Sequence, residues 1–209
     1  SVGLVPVLKS LSDMESFPDA YSKTRRYFAV CPEFKINYKR MLTFALNTET
    51  QVPSRVQVRP RIDNLIPTRL SVGNPSLRQS YSTILNIAYN SKPIPDKPVI
   101  ESSLKALFTA NPITGSVKYL TAGTILEEYD NYTVPVNAML NTYQNAPFLA
   151  NVMFKTVFSD QIMKTRTPYH IHLQYSFRYM PQYAGGNLVC LQEHAPVLGA
   201  TIQYRSLAG

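Results

Sequence analysis

From Phe34 to Leu46 the even positions read Phe34, Ile36, Tyr38, Leu42, Phe44 and Leu46, broken only by Arg40, while Lys35, Asn37, Lys39 and Thr43 alternate with them. A period of two held over that length predicts one long strand with a buried face, and Arg40 marks a bulge or an edge. Arg55–Ile62 repeats the pattern, with Val56, Val58 and Ile62 on one face and Arg55, Gln57, Arg59 and Arg61 on the other. Pro60 lacks a ladder donor, which predicts an edge strand or a bulge there. The strictest alternation is Tyr169–Tyr179, where Tyr169, Ile171, Leu173, Tyr175, Phe177 and Tyr179 are separated by His170, His172, Gln174, Ser176 and Arg178. Strands are also predicted at Val117–Leu126, Asn151–Ser159, Leu188–Gln192 and Thr201–Ser206.

Two windows carry a helical spacing instead. Asn74-Pro75 has the form of a capping Asn followed by Pro at the first helical position, and Leu77, Tyr81, Ile84, Leu85 and Ala88 follow it. After the Pro-studded link Ser91–Pro98, Ile100, Leu104, Leu107 and Phe108 share a second helical face, which Asn111-Pro112 ends. Residues 1–24, with Pro6 and Pro18, are expected as an N-terminal arm with one short helix around Val7–Met14. Residues 25–209 are expected as a single domain with a helical insertion around 74–108. No alternating βαβ units occur, which disfavours a parallel doubly wound sheet. The clean inside–outside alternation predicts a mainly β fold, an antiparallel sandwich or barrel with two helices inserted between strands.

Composition sharpens this picture. At 209 residues and 44% hydrophobic the chain holds ample material for one packed domain. A charged fraction of only 16%, with 14 Tyr and no Trp, leaves tyrosines and uncharged polar groups to cover much of the surface, which suits broad protein contacts. The net charge of +8 favours polyanionic partners. Cys31 and Cys190 are too few for a disulfide framework and are expected as free thiols. No apolar run reaches the ~20 residues of a membrane-spanning helix. SVGLVPVL is too short for a signal peptide and lacks a basic segment before it, and the first residue, Ser1, fits either loss of an initiator Met or cleavage from a precursor. Asn131-Tyr132-Thr133 is read as a chance sequon.

The candidate chemistry is mostly electrostatic. Arg55, Arg59 and Arg61 on one strand face would form a row at ~7 Å per step, beside Lys35 and Lys39 if the two strands pair. Lys23, Arg25 and Arg26 sit just upstream, so these eight residues form the candidate nucleic-acid-binding set; Arg forks match phosphate oxygens, and counterion release supplies affinity. Tyr27, Phe28 and Tyr38 lie among these charges and could stack on unpaired bases. His170 and His172 project the same way on a strand. A metal would need a third ligand from His194, Cys190 or Glu193, so no metal site is expected, and the pair is read as an acid-sensitive polar element. Glu127-Glu128-Tyr129-Asp130 is read as a solvated turn, and Gly185-Gly186 as a flexible one. No nucleophile elbow, zinc-protease helix, P-loop or dinucleotide fingerprint occurs, so neither an enzyme nor a cofactor or small-molecule substrate is expected.

The arm carrying Lys23, Arg25 and Arg26, the long alternating strands Phe34–Leu46 and Tyr169–Tyr179, and the low-charge body rich in Pro and Tyr resemble the single jelly-roll coat proteins of small icosahedral viruses. The resemblance is architectural, covers most of the chain, and matches no family motif. It implies a jelly-roll-like sandwich and a viral structural protein that self-assembles with its own copies or other coat subunits. It further implies contact with nucleic acid, RNA or DNA, and residence in the virion, with assembly in the host cytoplasm. A viral matrix- or movement-type protein binding nucleic acid or a membrane surface shares the same features.

Overall fold

The structure, a computed structural model, describes residues 2–15, 21–39, 41–91, 97–127, 129, 131–162 and 167–203, with the backbone alone at 2–15, 21–25 and 162. In chain order the elements begin with β1 (Val2–Glu15), β2 (Tyr21–Tyr38), β3 (Leu42–Gln51), α1 (Arg55–Val58), β4 (Asp63–Ile66), β5 (Arg69–Ser71) and β6 (Ser80–Asn90). They continue with β7 (Val99–Ala110), β8 (Ile113–Leu120), β9 (Ile125–Leu126), β10 (Tyr132–Thr133), β11 (Ala138–Asn145), β12 (Phe148–Ile162), β13 (Thr167–Ala184) and β14 (Asn187–Ile202). The fold is mainly β, as the alternation predicted. Twelve strands join one large mixed sheet, and β9 pairs with β10 in a separate ribbon.

Eight strands, β1-β2-β3-β6-β7-β12-β13-β14, form an unbroken antiparallel run. Most neighbours in this run are also neighbours in the chain, unlike the Greek-key order of a jelly-roll sandwich, and twelve of the described strands are hydrogen-bonded into one sheet rather than two. The β7–β12 pair then continues past a bend. Ala110 faces Phe148 on one side of it and Ile113 faces Asn145 on the other, so β8 and β11 extend the same register. Pro112 and Pro147 remove donors at the bend, Asn111 takes a positive φ of 52°, and the Ala146 N–H donates to the Pro112 carbonyl at 2.9 Å. Beyond the bend β8 pairs in parallel with Tyr183 and Ala184 at the end of β13, and β11 carries β5 and then β4.

The buried core belongs to this second region. Leu70, Val72, Val134, Ala138 and Leu140 form it, with Ile62, Leu120, Leu126, Tyr129 and Tyr132 packed against them. Burial of each large apolar side chain there contributes roughly 1.5–3 kcal/mol.

Several expectations are corrected. The helices expected within 74–108 are strands β6 and β7. Spacings of four place residues on one side of a strand as well as of a helix, so Tyr81 and Leu85, or Ile100, Leu104 and Phe108, satisfied both periods. Asn74 caps a turn rather than a helix: its Oδ1 accepts from the Ser76 backbone N–H at 2.9 Å, and its Nδ2 donates to the Tyr143 carbonyl at 2.8 Å. The single strand expected at Phe34–Leu46 is a hairpin whose turn follows Tyr38, with Lys39 at φ 47°. Tyr38 faces Leu42, so even positions stay on one side through the turn and the alternation hides it; Arg40 lies outside the described residues. The helix expected around Val7–Met14 is part of β1.

The strand expected at Arg55–Ile62 is the short helix α1 followed by irregular chain. Ser54 and Gln57 close a capping box, with Ser54 N–H donating to Gln57 Oε1 at 2.8 Å, and that local pairing overrides the alternation. Leu188–Gln192 and Thr201 belong to one strand, β14, while residues 204–209 lie outside those described.

Candidate functional site: an arginine cleft and an open apolar sheet face

The turn after β5 positions the arginine-bearing segment. Gly73 N–H donates to the Arg59 carbonyl at 3.0 Å, and Asn74 N–H donates to the Gln57 carbonyl. Val58, between Gln57 and Arg59 in the chain, is buried. The packing tolerates no side chain at Gly73, where a Cβ would stand 2.5 Å from the Arg59 carbonyl oxygen. Beside it opens a cleft of about 480 Å³ with Arg59, Arg61, Asn64, Asn141 and Tyr143 in its wall and Val56 and Leu65 at its apolar side. Each guanidinium carries five N–H donors in a planar fork whose geometry matches phosphate oxygens.

The structure splits the predicted basic set. Arg59 and Arg61 share the cleft, while Arg55 is exposed on α1. Arg26 and Lys35 are exposed on β2, and Lys39 lies in its turn with Nζ 5.1 Å from the Tyr38 ring centroid. β2 pairs with β1 and β3, so the anticipated pairing of Lys35 and Lys39 with the 55–62 segment does not occur. The side chains of Lys23 and Arg25 lie outside those described. Phe28 and Tyr38 are exposed on the sheet rather than beside the cleft.

The histidines are also separated by the sheet. His170 Nδ1 lies 2.8 Å from Ser159 Oγ, and the His172 ring covers Gly199, where a Cβ would stand 2.2 Å from Cε1. His194 faces Phe177 and Cys190 faces Pro181, which puts both on the side opposite His170 and His172. Glu193 shares their side but pairs with Arg178, six residues along β14 from the partner of His172. Among the described residues no group of three or more metal-ligating side chains converges. Gly185 and Gly186, with φ of 59° and 84°, make the two-residue turn between Ala184 and Asn187, the glycine role expected of a tight hairpin.

No family model and no curated protein matches the chain.

The larger feature emerges from register. Residues opposite each other in an antiparallel pair project to the same side, so the pairings assign a side to every strand position. One row across the sheet reads Tyr38, Leu42, Tyr89, Ser102, Thr156, Leu173 and Leu198. The next reads Ile36, Phe44, Ile87, Leu104, Phe154, Tyr175 and Pro196, and the next Phe34, Leu46, Leu85, Ala106, Val152, Phe177 and His194. These three rows contain no Lys, Arg, Asp or Glu. The opposite side carries Glu33, Lys35, Glu101, Lys105, Lys155, Arg178 and Glu193 in the corresponding positions.

Nothing among the described residues covers the apolar side. Ile36, Leu42, Phe154, Leu173 and Tyr175 are exposed, Phe108 retains 47% of its surface and Leu198 76%. Ala106 and Ala150 are buried on it, as is Pro181 near the end of β13. Sequence reasoning identified individual apolar strand faces but missed their union, because only register shows that strands far apart in sequence turn the same side outward. No helix is long and apolar enough to cross a membrane.

Proposed function

We propose that this chain is a self-assembling structural subunit of a viral coat, which builds the virion by covering its open sheet with other copies and meets nucleic acid through Arg59 and Arg61. The apolar sheet face carries this reading. Seven strands at ~4.8 Å and three rows at ~6.8 Å give a footprint on the order of 700 Å². That is close to the ~800 Å² each partner contributes to a stable protein interface. The charged outer side suits the wet face of such an assembly. The net charge of +8 and the arginine cleft support contact with a polyanion, RNA or DNA. The likeness to coat proteins now rests on this assembling surface and basic charge rather than on jelly-roll connectivity. The role is one of binding and building rather than catalysis.

The test is sedimentation and negative-stain microscopy of purified chain across salt and pH, with a Phe154→Glu variant that places a charge in the middle of the face. Shells, rings or sheets for the native chain, and smaller species with unchanged circular dichroism for the variant, are the expected result. A strictly monomeric native chain under all conditions would refute it.

A matrix- or movement-type role at an anionic membrane is the second reading, favoured by the β4–β5 hairpin. Leu65 is 89% exposed there, with Ile66 exposed beside it and Arg61 and Arg69 nearby. Co-flotation with anionic but not neutral vesicles, lost in Leu65→Ser, would favour it over the coat reading.

A further inference from the structure

We propose that β14 is a seam at which two copies of this chain join edge to edge, antiparallel about a two-fold axis through Ala195, continuing the eight-strand run of one copy into that of the next. This deepens the self-assembly reading and rests on it.

The direction of the outer backbone groups follows from the end of the strand. Gln203 N–H donates to the Pro168 carbonyl at 3.1 Å, in register with Tyr169 facing Ile202. In an antiparallel pair a residue points both backbone groups toward its partner or both away, and the two alternate. Odd-numbered residues of β14 therefore bond inward to β13, and even-numbered residues point outward. Pro196 falls in the outward set, the one place where a missing N–H costs β13 no bond. From Leu188 to Ile202 the other even positions present both N–H and C=O outward. Among the described residues no strand lies there.

Natural edge strands are kept apart by shortness, bulges, prolines and lysines. β14 is 16 residues long, stays in unbroken register with β13, and has no Lys or Arg. Pro196 is its one proline, and its missing N–H costs the seam one bond to the facing His194 carbonyl in each half. In a chain of net charge +8, an edge without cations is where two copies approach with least repulsion.

Two-fold pairing of a strand with itself sets even positions opposite even ones, so both apolar faces stay on one side of the joined sheet. An axis through Ala195 places Leu188 opposite Ile202 and Gln192 opposite Leu198. Glu193 then meets Val197 rather than its own copy. An axis through His194 gives the same overlap but sets each His194 against the other. With Ala195 on the axis, its two copies form a non-hydrogen-bonded pair with Cα atoms ~4.5 Å apart, within disulfide reach.

The experiment uses the full chain with Cys190→Ser, to remove the exposed native thiol, and Ala195→Cys. Air oxidation is expected to convert most of it to a disulfide-linked dimer on a non-reducing gel. Adding Leu198→Pro removes one outward N–H and leaves the ladder to β13 intact, and it should abolish the cross-link while circular dichroism is kept. Leu198→Lys, which deletes no backbone donor, should do the same and covers the case in which the proline variant does not fold. Larger assemblies without cross-linking at Ala195→Cys would place the seam elsewhere, on the β1 edge or another register, and overturn this proposal alone. Cross-linking that persists in both Leu198 variants would show chance collision and overturn it too. A monomeric native chain would overturn this proposal and the self-assembly reading together.

Discussion

Replacing Gly73 with alanine tests whether one close backbone approach holds the arginine cleft in place. The added Cβ would stand 2.5 Å from the Arg59 carbonyl oxygen and 2.6 Å from both Arg59 N and the Val56 carbonyl oxygen. All three are backbone atoms, so no side-chain rotation relieves the clash, and the segment from Val56 to Arg59 must move away from β5. That movement breaks the Gly73–Arg59 and Asn74–Gln57 backbone hydrogen bonds, at about 1 kcal/mol each. It also draws Val58, 4% exposed, out of its site. Losing half or more of a valine's burial adds roughly 1–2 kcal/mol. The total is about 3–4 kcal/mol, a large share of the ~5–15 kcal/mol that holds a typical domain folded.

Urea unfolding at fixed protein concentration measures it, with Gly115→Ala as the control. Gly115 lies in β8, and a Cβ there meets nothing within 4 Å. Gly115→Ala is expected to be neutral or stabilising by about 0.4–1 kcal/mol through the unfolded chain. Gly73→Ala within about 0.5 kcal/mol of that control would refute the reasoning.

Replacing Arg59 and Arg61 together with serine should lower the slope of log K against log salt for nucleic-acid binding by roughly 1.4 on a single strand or 1.8 on a duplex. An unchanged slope would show that the cleft does not meet phosphate. Gly199→Ala puts a Cβ 2.2 Å from His172 Cε1 and should destabilise by about 1–3 kcal/mol as the ring swings away; adding His172→Ala should recover most of that, as thermal denaturation would show. Tyr179 donates toward or accepts from Cys190 Sγ at 2.8 Å, and this bond, followed by desolvation, raises the phenol above its ordinary 10.0. A raised value favours the neutral phenol in the folded chain, so its stabilising effect is complete below about pH 10 and fades as pH climbs through the folded value. Phenolate titration in Cys190→Ala should move back toward the ordinary range; no movement would refute the assignment.

The sequence made the strand content legible, and the reasons for its failures are physical. Tyr169–Tyr179 was read correctly because its alternation holds without a gap. Ser80–Asn90 and Val99–Ala110 were misread because their apolar residues recur at intervals of four, which a strand and a helix share; Thr83, Ile84 and Ile87 were the β-branched signal that favoured the strand. The turn after Tyr38 was hidden by a hairpin that preserves parity. Ser54 and Gln57 announced a helix start that the charge pattern of Arg55, Arg59 and Arg61 obscured. Of the candidate site, the charge was visible, but the meeting of Arg59 with Arg61, Asn64 and Asn141 depends on Gly73 seating one segment against another 14 residues away in sequence. The apolar face was written in every strand, yet its extent depends on six pairings across the sheet that no local window contains.

On the self-assembly proposed above, the open face also ties the folding equilibrium to abundance. Where apolar surface stays in water until another copy arrives, part of the free energy that holds the native sheet belongs to the complex rather than to the chain. Folding then obeys mass action: each hundredfold dilution withdraws about 2.7 kcal/mol of support, and the unfolding midpoint climbs with total protein. A subunit made in small amounts would linger as a marginal species exposed to proteases, and would become durable only once its synthesis outpaced its removal. Abundance itself would time the transition from chain to particle.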